Sequence, residues 1–170
     1  IRYRIRPFSY SSLSSQFLEN RGHFASQVPF HYGILLVLGG HLLAFLLPAQ
    51  LLAWNASPLR LLLLEVTGLA LGLLTLVGLV NIVVRRWRSV RLRPVTTPMD
   101  VVVYVLLLLQ VSTGLSIAVS HTWGSSWFAA LLTPYLRSLA TLSPDPQWIA
   151  ALPVMVKIHV AGLWVLLLVF

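Results

Sequence analysis

Four apolar stretches, separated by polar and arginine-bearing segments, set the pattern of this chain. The first runs from Phe30 to Ala53, the second over 61–84, the third over 101–119, and the last leads to Phe170. A hydrocarbon core about 30 Å thick is crossed by about 20 apolar residues in a helix. The pattern therefore predicts spans at about 29–52, 61–84, 101–119 and 153–170. Pro29 suits a first helical position, and Trp54 suits a membrane–water interface. Residues 1–28 read as a polar extramembrane segment, and 29–170 as a transmembrane bundle. A loop rich in Arg and Pro (RRWRSVRLRPVTTPMD) joins the second and third spans. A longer loop, 120–157, holds Trp123, Trp127 and Trp148. The expected fold is an all-α polytopic membrane bundle with four spans, the last cut short at Phe170.

Composition sharpens this. Of 170 residues, 58% are hydrophobic and 9% charged. The mean hydropathy is +0.86, which excludes an ordinary soluble domain. Twelve Lys and Arg against four Asp and Glu give a net charge of +8. Such an excess often marks nucleic-acid binding, but here the arginines cluster at the ends of apolar runs. The positive-inside rule accounts for them without a nucleic-acid partner. Arg2, Arg4, Arg6, Arg21, Arg85, Arg86, Arg88, Arg91 and Arg93 fall on one side, and Arg60, Arg137 and Lys157 on the other. Residues 1–28 and 85–100 are therefore expected in the cytoplasm of a bacterial or archaeal cell, with membrane lipid around the spans. No cysteine is present, which excludes disulfides, thiolate-ligated clusters and a cysteine nucleophile. The chain opens at Ile1 without Met, so it is expected to be a stretch of a longer protein.

The candidate chemistry lies in three histidines within apolar runs: His31, His41 and His159. A polar ring in hydrocarbon is costly and so points to function, and imidazole is an axial ligand of haem iron. His31 and His41, ten residues apart, lie about 15 Å apart along a helix and about 80° apart around it. Topology puts His31 near the cytoplasmic face and His41 in the outer half. His159, in the first turns of the last span, is also in the outer half. His41 and His159 are thus at matching depth for one haem, while His31 needs another partner. A single membrane histidine is equally served by a packing role, but three at matched depths favour two stacked haems. His23 and His121 fall in loop or interface positions and receive no ligand role.

Other residues are less specific. Gly33, Gly39, Gly40 and Gly162 could flank a flat macrocycle, but glycines also serve plain helix contact, as Gly68 and Gly72 do. Glu65 has two readings: a polar pairing with Arg60 or another group near the outer interface, or a proton acceptor beside a quinol. Gln110, Ser112 and Thr113 could satisfy buried groups without catalytic duty. The Arg run 85–93 determines topology, with anionic lipid or a soluble partner as further uses.

The stretch SSQFLENRGHFASQVPFHYGILLVLGGH, with RPVTTPMD, LLLLQVSTGL and KIHVAGLWVLLLVF, resembles the gamma subunit of membrane-bound respiratory nitrate reductase. The resemblance covers nearly the whole chain. It implies a di-haem cytochrome b with five transmembrane helices, one of them before Ile1. His41 and His159 match the ligands of the haem nearer the periplasm. His31 matches one ligand of the haem nearer the cytoplasm, the other lying beyond Phe170. Arg60 stands where a Lys is typical in the quinol site, and Gly40 matches the same pocket. Arg is not a neutral replacement, because its planar fork binds differently. The implied activity is that of an enzyme subunit: quinol is oxidised near the outer face, and electrons pass through two b haems. They then reach an iron–sulfur beta subunit and a molybdenum alpha subunit that reduces nitrate. Related cytochromes serving sulfur-compound, heterodisulfide or nitrite redox complexes are an alternative. A haem-free membrane anchor or transporter fragment is another.

Overall fold

The computed structural model describes residues 23–169, and the rest of the expected N-terminal segment lies outside them. The described residues are helical, with no strand among them. Helix α1 spans His23–Leu46, α2 Pro48–Asn55, α3 Pro58–Arg88 and α4 Pro98–Ser120. Short helices α5 (Gly124–Trp127), α6 (Thr133–Ala140) and α7 (Gln147–Ala150) follow, and α8 spans Val154–Val169. A π-helical turn, Phe128–Leu132, links α5 to α6. Three helices are long and apolar enough to cross a membrane: Phe24–Leu46 within α1, α3 and α4. Helix α8, Val154–Val169, is shorter and equally apolar.

The first helix departs from the expected span. It opens at His23, so Pro29 lies inside it rather than at its start. Proline has no N–H for the carbonyl four residues earlier. That carbonyl, on Ala25, instead accepts the Asn81 side-chain amide of α3 at 3.0 Å. Pro48 has the same effect at the other end. Leu47 is pushed out of the helical region (φ −124°, ψ 53°), as residues before proline are. The helix therefore kinks there and resumes as α2, instead of running evenly to residue 52. The carbonyl of Ala44, freed by Pro48, accepts Thr133 Oγ1 at 3.4 Å. Its neighbour Phe45 accepts Arg137 at 3.0 Å. Prolines are tolerated in membrane helices when side chains satisfy the carbonyls they release.

Helix α3 has 31 residues, about 46 Å at 1.5 Å per residue. It overruns an apolar core about 30 Å thick, so its ends reach both interfaces. Helix α4 opens at Pro98, not near 101, because Thr97 and Asp100 form a capping box. Asp100 also binds Arg86 at 3.0 Å, so one of the topology arginines is a structural tie between α3 and α4. The expected long loop is largely helical. Its residues fold back over one end of the bundle, where Ile117, Leu132, Leu152, Val156 and Val160 form a buried core.

Helix α1 packs on α3, α3 on α4, and α4 on α8. No comparable contact joins α1 to α8, the two helices at the ends of this series. The α1–α3 crossing is close because of two glycines. A Cβ at Gly78 would stand 2.8 Å from Phe30 Cα, and one at Gly33 would run into Thr75 Oγ1.

Candidate functional site

Helices α1 and α8, which do not pack on each other, carry the three candidate histidines. His31 and His41 are exposed on α1. Each places Nδ1 2.8 Å from the carbonyl four residues earlier, Gln27 for His31 and Val37 for His41. A carbonyl only accepts, so Nδ1 carries the proton and Nε2 keeps its lone pair. That is the tautomer a metal-ligating imidazole adopts, with its other nitrogen held by an acceptor. Phe128, from the π-helical turn, packs edge-on against His41 with centroids 5.3 Å apart.

His159 is held differently. Its ring is half-buried between α4 and α8. Nδ1 is 2.9 Å from Thr113 Oγ1. Nε2 is 3.3 Å from the Gln110 amide nitrogen. That amide also donates to the His159 carbonyl at 3.1 Å. A Cβ at Gly114 would stand 3.0 Å from the His159 ring, so this glycine makes room for the imidazole. Gly162 makes room for the Gln110 side chain rather than for a macrocycle, since a Cβ there would meet Gln110 Oε1. At Gly39 and Gly40 an added Cβ meets nothing within 4 Å, which leaves open space beside both glycines.

Among the described residues there is no cluster of three or more His, Cys, Asp or Glu to hold a bare metal ion. A haem needs only one imidazole on each axial face. Imidazoles on two helices that do not pack on each other, with Nε2 unprotonated and glycines beside His41, suit a flat macrocycle. The open space at Gly39 and Gly40 is the feature a ring would fill.

The remaining candidates sort as follows. Arg60 turns back along its own end of the bundle. Its guanidinium lies 5.2 Å from the Trp54 ring centroid and 3.4 Å from the Ala53 carbonyl. Glu65 pairs not with Arg60 but with Ser125, accepting its backbone N–H at 2.9 Å and its hydroxyl at 2.6 Å on Oε1. Asn55 completes this cluster by donating to Ser125 and Ser126 at 3.0 and 2.9 Å. Sequence reasoning did not foresee Asn55, Ser125 or the Phe128–His41 contact, because they come together across long separations. Gln110 and Thr113 were read as satisfying buried groups. Their spacing of three on one helix face was the available signal that they serve one partner, His159.

The fold and site define a helical membrane protein that presents imidazoles at two levels of one helix and at one level of another. The sequence matches the nitrate reductase gamma subunit family over residues 1–170, and the chain belongs to that family. It is 25% identical to the nitrate reductase gamma chain of Bacillus subtilis over 168 residues, covering 94% of this chain and 73% of that one. It is 34% identical to the respiratory nitrate reductase 2 gamma chain of Escherichia coli over 117 residues, covering 68% of this chain and 52% of that one. The respiratory nitrate reductase 1 gamma chain of the same organism is 33% identical over 116 residues, with 68% and 52% covered. The chain thus spans about half the length of these two relatives.

Proposed function

We propose that this chain forms the haem-binding part of a quinol-oxidising cytochrome b subunit of a respiratory nitrate reductase. The observation that carries the reading is the shared geometry of His31 and His41. Each holds Nδ1–H on its own main chain and keeps Nε2 for a ligand. His41 and His159 would hold one haem, and His31 would contribute to holding a second. When bound, the haems supply one-electron carriers at two depths of the bilayer.

The chain's own residues then divide the work. Gly40 and His41 border the quinol near the outer face, and the Arg60 guanidinium supplies hydrogen-bond donors to a quinol oxygen. Oε1 of Glu65 is taken by Ser125, so Oε2, beside Gly124, is the oxygen available for a quinol proton. The arginine-rich end, with Arg88 and Arg91 exposed, faces the cytoplasm. There it meets an iron–sulfur beta subunit, through which electrons reach a molybdenum alpha subunit and nitrate. Membership of the nitrate reductase gamma family supports this assembly over a sulfur-compound, heterodisulfide or nitrite complex.

The test is reduction of the full-length protein by a short-chain quinol in detergent, followed at the haem Soret band. The reading expects a b-type Soret band that shifts on quinol addition. Absence of the band would identify a haem-free anchor, and a band untouched by quinol would remove the quinol role.

A further inference from the structure

The three imidazoles are not fixed by equivalent means. His31 and His41 rest on main-chain carbonyls of their own helix, which no side-chain substitution elsewhere removes. His159 depends on a side chain of α4. Thr113 Oγ1 has one proton, and the carbonyls of Leu109 (2.8 Å) and Gln110 (3.1 Å) are there to accept it. Toward His159 the oxygen therefore offers a lone pair, and Nδ1 must be the protonated nitrogen. Nε2 is left as the acceptor, and the Gln110 amide donates to it.

We propose that Thr113 is a positioning residue for His159: its hydroxyl fixes the tautomer and ring angle that present Nε2. The inference rests on the reading of His159 as an axial ligand. A hydrogen bond on the far nitrogen raises the basicity of a ligating imidazole, and its loss weakens metal binding by about 10–100-fold. A more basic ligand favours ferric over ferrous iron. Removing the Thr113 hydroxyl therefore raises the midpoint potential of the haem on His159 and leaves the haem on His31 unchanged. The haem on His31 is the internal control.

The experiment is spectroelectrochemistry of both b haems in the full-length protein within its complex, comparing Thr113→Val, Thr113→Ser, Thr113→Ala and His159→Ala. The expected result is a higher potential in Thr113→Val for the haem that His159→Ala eliminates, with Thr113→Ser restoring the original value. Unchanged potentials in Thr113→Val, or the same shift in Thr113→Ser, overturn the proposal. If Thr113→Val loses that haem altogether, haem content decides. Retention in Thr113→Ser with loss in Thr113→Ala supports the proposal, and equal loss in both overturns it. If His159→Ala keeps both haems, the axial reading itself fails, whatever Thr113 does.

Discussion

Asn81 of α3 supplies the hydrogen bond that Ala25 of α1 cannot obtain from its own helix, at 3.0 Å. Pro29 causes the vacancy, and the glycine-lined crossing one turn away brings the two helices close enough to fill it. Asn81→Leu should therefore destabilise the protein by about 1 kcal/mol, the scale of an interhelical hydrogen bond in a membrane protein. Thermal unfolding in detergent measures it. Pairing Asn81→Leu with Pro29→Ala should recover most of the loss, because alanine restores the intrahelical donor.

Two kinds of glycine give opposite expectations. Gly78→Ala places a methyl group against Phe30 and should cost about 1–3 kcal/mol through overpacking. Gly39→Ala meets no protein atom, so stability of the haem-free chain should be unchanged. If a macrocycle lies there, Gly39→Ala should lower haem retention instead. Unfolding of haem-free protein and haem content of loaded protein separate the two effects.

Glu65 combines an anchoring oxygen with an available one. Glu65→Gln keeps an acceptor for Ser125, so the fold should persist. It removes the carboxylate proposed to accept the quinol proton, and on that proposal quinol oxidation should slow by about a hundredfold. Glu65→Ala should both slow oxidation and loosen the segment carrying Ser125 and Phe128. Full quinol oxidation in Glu65→Gln would leave the carboxylate a purely structural role.

At the other end of the bundle, Asp100 both caps α4 with Thr97 and binds Arg86. Asp100→Ala should cost about 1–2 kcal/mol, because it removes the acceptor of the Thr97 N–H and the partner of Arg86 while Thr97 still caps the Asp100 N–H. Asp100→Asn keeps a capping oxygen and should cost less, as denaturation in detergent would show.

Much of this was legible in the sequence because hydropathy over 20 or so residues is a strong signal in a bilayer. The second and third apolar stretches appear as α3 and α4 within a few residues at each end. The first stretch was misjudged where proline was read as a helix opener. Pro29 sits inside α1 because Asn81, 56 positions from Ala25, replaces the missing donor, and local rules cannot see that partner. The start of α4 was legible in T-P-M-D, a capping box with proline in its first turn, but was absorbed into the preceding loop. The pairing of the histidines by depth stays an expectation of the sequence. What holds each ring was not legible there, because His31 and His41 use local carbonyls whereas His159 uses Thr113 and Gln110, more than 40 residues away.

The proposed division of three imidazoles between two haems is open to reduced-minus-oxidised spectra of the full-length protein with His31, His41 and His159 each changed to alanine. His41→Ala and His159→Ala should abolish the same haem signal, and His31→Ala the other. Loss of one and the same signal in His31→Ala and His41→Ala would rule the division out.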